Sequence, residues 1–184
     1  MHRVNTRTPS AIYGAEEMGN ISASEDSVAE VSSATVSQFD AELYKGLWYV
    51  VAEIPMPGAK CTYSLSTYFP LSFDRMHVTN YCIVQDKVVG IQEGTLLLGG
   101  DAAPGKLELV SDSVSGPRTP YWVYTTDYRS YSIVGGGNGL ALWILSRTRT
   151  IAGASMSAYI ARAGALGYDT SRIVVKGRAI QASQ

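Results

Sequence analysis

From Phe39 onward, apolar and aromatic residues recur in short runs separated by turn residues. The first run is Gly46-Leu47-Trp48-Tyr49-Val50-Val51-Ala52-Glu53-Ile54-Pro55. A glycine opens it, aromatic and β-branched residues fill it, and a proline stops it, which is the composition of a strand. At period two, Trp48, Val50, Ala52 and Ile54 are expected to share one face. Further strands are expected at Tyr63 to Phe69, Met76 to Val84, Val88 to Leu98, Lys106 to Ser111, Tyr121 to Thr126, Ser130 to Val134 and Leu140 to Ser146. The breakers between them are Pro70, Gly99-Gly100, Pro104-Gly105, Gly116-Pro117 and Gly135-Gly136-Gly137. A short helical turn is expected at Phe39 to Tyr44. Only one segment, about Ala152 to Leu166, carries helical spacing, through Ile151, Met156, Tyr159, Ile160 and Ala163, with Gly167 placed as a C-terminal cap. A last short strand follows at Arg172 to Val175. Each connection suits a hairpin, so the pattern predicts an all-β fold: an up-and-down antiparallel β-barrel of about eight strands with one C-terminal α-helix outside.

The segment before Phe39 reads differently. Ser, Ala, Thr and Glu dominate residues 1–38, and no apolar period is sustained. The expectation is a disordered extension over 1–38 and a barrel domain over 39–184. No apolar h-region of about 7–15 residues follows Arg3 and Arg7, so no signal peptide is expected. The first fourteen residues lack acids, which hints at organelle targeting, but Glu16, Glu17, Glu25 and Asp26 run against it.

Composition narrows the function. A formal net charge of -1 with 17% charged residues gives no field to draw nucleic acid or an anionic membrane. No apolar run is long enough for a transmembrane helix. Neither H-E-x-x-H nor G-x-S-x-G occurs, and no phosphate-binding loop is present. The histidines are His2 and His77, and Cys61 and Cys82 lack C-x-x-C spacing. No enzyme activity, metal or cofactor is therefore expected. Cys82, two residues after Asn80, keeps a thiol enzyme as the alternative, against inert packing.

Three separated motifs carry a resemblance. Gly46-Leu47-Trp48-Tyr49, Thr126-Asp127-Tyr128 and the lone Arg147 closing Leu142-Trp143-Ile144-Leu145-Ser146-Arg147 appear in that order, with a helix behind them. Together they resemble the G-x-W, T-D-Y and arginine motifs of the lipocalin family, in its apolipoprotein D-like and bacterial branch. The resemblance implies a structural latch of Gly46, Trp48 and Arg147, with the guanidinium over the indole. It implies a scaffold turn at Thr126, Asp127 and Tyr128. It further implies ligand contact at Asn80, Tyr121 and Trp143, with Val50 and Leu145 facing the same cavity. The alternatives are that Trp143 is plain core and Asn80 a satisfied buried amide. The implied function is transport or storage of a small hydrophobic ligand, a fatty acid, lysophospholipid or similar lipid; a carotenoid, bilin or sterol is the alternative. The implied setting is secreted or extracytoplasmic, as a monomer or weak homodimer.

The cysteines complete the expectations. Cys61 matches a family position whose partner lies near the C-terminus, and Lys176 to Gln184 contains no cysteine. A hairpin turning around Pro70 to Arg75 sets Tyr63 opposite Cys82 and leaves Cys61 about two positions off register, near the roughly 7 Å limit for a bridge. Two free thiols are expected, with a Cys61–Cys82 disulfide as the alternative if a bulge or bend closes the gap.

Overall fold

The computed structural model describes residues 30–56, 61–112, 118–176 and 178–180. Eight strands follow one another: β1 Gly46–Ile54, β2 Tyr63–Ser72, β3 Arg75–Val84, β4 Lys87–Leu97, β5 Lys106–Ser111, β6 Thr119–Thr126, β7 Tyr131–Gly135 and β8 Leu142–Ser146. Each pairs antiparallel with the next, and β8 pairs back with β1, closing an eight-stranded barrel. Helix α1, Ala41–Tyr44, precedes β1, and helix α2, Gly153–Ala165, follows the barrel. The expected all-β up-and-down barrel with one outer C-terminal helix is what forms.

Three small strands lie outside the sequence pattern or at its margin. Strand β9, Thr150–Ala152, pairs in parallel with β11, Arg178–Ile180. Strand β10, Val174–Val175, pairs with β1 at Ala52 and Glu53. Strand β2 pairs with β1 only from Gly46 to Val50, so β10 takes its place where β2 diverges.

The face expected of β1 is corrected by a bulge. Val50 stands opposite Leu145, but Ala52 stands opposite Ile144, so Val51 is an extra residue in the ladder. An inserted residue reverses the alternation beyond it. Trp48 and Val50 belong to the cluster inside the barrel. Ala52 and Ile54 face outward under α2 and its flanking chain. Glu53, opposite Trp143, turns inward instead.

Outside the barrel, Met156 and Ala163 of α2 are buried against apolar side chains of β1, β7 and β8. The helix ends as the sequence predicts. Gly167, at φ +94°, lets the Tyr168 amide bond the Ala163 carbonyl (3.2 Å) and its own amide bond Gly164 (2.9 Å). That is a Schellman cap. Tyr168 then reaches the Tyr124 hydroxyl at 3.0 Å.

The extension expected over 1–38 falls outside the described residues for 1–29. Residues 30–38 lie against the barrel. Val31 packs with Tyr124 and Tyr168, the Ser32 amide bonds the Leu166 carbonyl (2.8 Å), and the Val36 amide bonds Val123 (3.0 Å). Those backbone bonds fix a segment whose polar composition gave no sign of order.

Candidate ligand-binding site

One end of the barrel is sealed, and the first and last strands supply the seal. The Arg147 guanidinium lies 3.7 Å from the centroid of Trp48, which is fully buried. Its Nη2 donates to the carbonyl of Leu43 (3.0 Å), its Nη1 to those of Lys45 (2.9 Å) and Leu47 (3.0 Å), and its Nε to Tyr128 (3.1 Å). A planar fork of five fixed donors can hold four carbonyls at once, more than the three donors of a lysine can. Trp48 Nε1 donates to the Tyr44 carbonyl at 2.8 Å, so indole and guanidinium together cap the end of α1. Gly46 stands here at φ +95°, and a Cβ on it would lie 3.5 Å from Arg147 Nη1. The left-handed backbone rather than lack of space is what calls for glycine.

The Thr126-Asp127-Tyr128 turn presents the remaining partners. Asp127 Oδ1 accepts from the amides of Arg129, Ser130 and Tyr131 at 2.8–3.0 Å, and the Ser130 hydroxyl bonds Oδ2. Burial opposes ionisation of this carboxyl, but the Ser130 hydroxyl and the three amides outweigh it and hold its pKa below the ordinary value. Thr126 Oγ1 accepts from the Tyr128 amide (3.0 Å), and Tyr128 takes φ +62°. Its ring then packs near Phe39 and Tyr44 while its carbonyl meets Arg147.

Above the seal lies a floor of buried hydroxyls. Tyr121 OH stands 2.8 Å from Tyr68 OH and 3.3 Å from Tyr44 OH, and Tyr44 OH donates to Ser132 Oγ at 3.3 Å. Burial raises the pKa of all three phenols, so they stay neutral. Tyr121 therefore faces inward, as expected, but its hydroxyl already has partners.

Farther from the seal, two inward-facing side chains are less buried than the floor. Trp143 and Leu145 of β8 face inward with Val50 and Val134, while Leu142 and Ile144, alternating with them, face out. Trp143 stays partly accessible although both its chain neighbours are fully buried. Asn80, across the barrel on β3, is also partly accessible, and the Ser66 hydroxyl donates to its Oδ1 at 2.6 Å. That bond leaves the Asn80 amide nitrogen as a donor. The five expected ligand residues thus share the interior, Val50, Leu145 and Tyr121 buried, Asn80 and Trp143 partly accessible.

The expectation of two free thiols is overturned. Cys61 and Cys82 form a disulfide with Cα atoms 5.2 Å apart. A bend ahead of β2, not the hairpin register, closes the gap. Strand β2 runs through Pro70 to Ser72, with a bulge between Pro70 and Ser72, and Ser64 rather than Tyr63 stands opposite Cys82. The Thr62 amide still bonds the Ile83 carbonyl (2.8 Å), and the chain bends at Thr62, bringing Cys61 back over Cys82. Cys82 consequently offers no thiol nucleophile. His77 lies 3.8 Å from Glu93 and 3.2 Å from the Thr79 hydroxyl on the outer face of β3.

Sequence reasoning missed one interior pair. Lys176, just past β10, reaches Glu53 Oε1 at 3.1 Å and the Cys61 carbonyl at 2.9 Å. The signal was present: Glu53 is the one charged residue in the apolar run of β1. Without the bulge its period places it outside.

A closed eight-stranded antiparallel barrel, sealed at one end, is wide enough inside to hold one small ligand. A family model described as a lipocalin-like domain matches residues 39–177, and the chain belongs to the lipocalin family, whose members bind small hydrophobic ligands. A lipocalin of Acanthamoeba polyphaga mimivirus is 28% identical over 146 residues, 75% of this chain and 84% of its own. Apolipoprotein D of Rattus norvegicus is 31% identical over 96 residues, 52% of this chain and 50% of its own. The chain thus spans about half the length of that relative. Lobster apocrustacyanin A1 has the same fold, with a TM-score of 0.57 at 18% identity, covering 85% of this chain and 93% of its own.

Proposed function

We propose that this protein carries or stores a lipid, of fatty-acid or lysophospholipid type, in the upper half of its barrel, with Trp143, Asn80 and Tyr121 as contacts. The observation that carries the reading is the accessibility of the inward-facing Trp143 and Asn80 above a close-packed floor. Trp143 supplies a flat apolar wall, Asn80 a donor for a carbonyl or hydroxyl, and Tyr121 a polar floor. Affinity comes from burying apolar surface in a preformed cup, with few polar groups to orient the ligand. The Cys61–Cys82 disulfide supports a carrier over a thiol enzyme, and supports an oxidising, extracytoplasmic setting. Purification without denaturation, followed by organic extraction and mass spectrometry, tests the reading. A bound acyl lipid is the expected result. A visible absorption band from a pigment would replace it with the carotenoid or bilin alternative.

A further inference from the structure

The Glu53–Lys176 pair sits where the barrel wall would otherwise gape. Beyond Val50 and Ser64 the ladder between β1 and β2 ends, and β10 lies on β1 instead. The Lys176 amide bonds the Val51 carbonyl (2.8 Å), and its side chain crosses the seam to Glu53 and to the Cys61 carbonyl. The side chains of Lys176 and Glu53 are only 16% and 10% exposed. Glu53 lies next to Trp143 on the inner face.

Burying two charges costs several kcal/mol per ion before their attraction is counted, and a pair of apolar residues is often as stable. Stability alone is therefore a poor account of charges beside an apolar wall. An ammonium group carries three donors. Two are engaged here, by Glu53 and by the Cys61 carbonyl. The third has no further partner among the described residues.

We infer that Lys176 is the seat for the carboxylate of an amphiphilic acid whose chain runs down the barrel past Trp143, and that Glu53 is an internal competitor holding that seat. The inference rests on the carrier reading above and specifies its head group. A carboxylate arriving at Lys176 meets a partner that already has a counter-charge, so Glu53 both keeps the empty seat neutral and lowers its affinity for acids. A neutral lipid leaves the pair intact and gains nothing from Lys176.

The test is displacement of cis-parinaric acid by palmitic acid, methyl palmitate and hexadecanol, on the wild type, Glu53→Gln, Lys176→Gln and Lys176→Arg. The quantity read is the ratio of acid to ester affinity. Removing the competitor in Glu53→Gln raises that ratio about tenfold, and Lys176→Gln lowers it by a similar factor, each about 1.4 kcal/mol. Lys176→Arg keeps the preference. If Lys176→Gln does not fold, Glu53→Gln and Lys176→Arg still decide. A ratio unchanged across the folded variants overturns the head-group seat while leaving the carrier reading standing. Failure of all three lipids to bind the wild type overturns both.

Discussion

The seal is the part of the molecule whose energetics can be worked most directly. Arg147→Ala removes four hydrogen bonds of 2.9–3.1 Å to carbonyls at the end of α1, the start of β1 and the Thr126–Tyr128 turn. The side chain is partly accessible, so water replaces some of what is lost, and the low end of the net range per bond applies, about 0.5–1 kcal/mol. Loss of the stack on Trp48 adds about 0.5–1 kcal/mol. The expected cost is about 3 kcal/mol. Arg147→Lys separates charge from shape: a point donor keeps one or two of the four bonds, and the cost falls to about half. The interaction with Trp48 is read from a double-mutant cycle with Trp48→Leu, where a coupling of about 1 kcal/mol is expected. Urea unfolding followed by circular dichroism measures all of these. The reasoning fails if Arg147→Lys matches the wild type, because charge alone would then account for the residue. It fails equally if the two positions are additive.

Three further outcomes follow from the same geometry. Trp143→Ala weakens binding of a fluorescent fatty acid by about tenfold with the far-ultraviolet spectrum unchanged; equal affinity would remove Trp143 from the site. Replacing Cys61 and Cys82 together by serine costs about 3 kcal/mol, since the bridge closes a loop with a sequence separation of 21, and thiol titration of unreduced, unfolded wild type finds no free thiol; two titrating thiols would refute the bridge. Asp127 has a folded pKa below its unfolded one, so its contribution is present above the unfolded value and is lost as pH falls through the folded one. Asp127→Asn therefore flattens the acid limb of stability below about pH 4, measured by urea midpoints from neutral pH downward; parallel limbs for both proteins would show that the turn does not depend on the ionised carboxylate.

What could be read in the sequence was whatever the hydrophobic period and the turn residues specify locally. The barrel strands, α2 and its Gly167 cap are of this kind, and most strand bounds shift by only one or two residues. The pairing of Trp48 with Arg147 came from motif order, because nothing local to Arg147 distinguishes a latch from a solvated strand end. What could not be read depends on a single residue of register. Val51 carries no mark of a bulge, being a β-branched residue in a run of its kind, yet it sends Ala52 and Ile54 under the helix and Glu53 inside. The bend at Thr62 that brings Cys61 over Cys82, against a ladder register that runs the other way, likewise leaves no local mark in the sequence. Strands β9 and β11 pair in parallel across a long stretch of chain, with too few residues for any period to show.

The bulge also explains how one strand serves two cores. Up to Val50, β1 needs large apolar residues inside to fill the sealed end, and Trp48 and Val50 supply them. Beyond it, the outer face of the same strand must meet α2 and its flanking chain, and Ala52 and Ile54 do so. A strict alternation would have put Ala52 and Ile54 inside the barrel and left Glu53 under the helix, an uncompensated charge in an apolar contact. The extra residue reverses both placements. It also puts Val51 outward with its carbonyl accepting from the Lys176 amide, which fixes the lysine over the seam between β1 and β2. The placement of the Glu53–Lys176 pair is thus a consequence of how the barrel joins its helix. Deleting Val51 is expected to lose helix packing and the acid preference of the cavity together. If the acid-to-ester ratio survived such a deletion in a folded protein, the head-group seat would have to be built by residues other than Glu53 and Lys176.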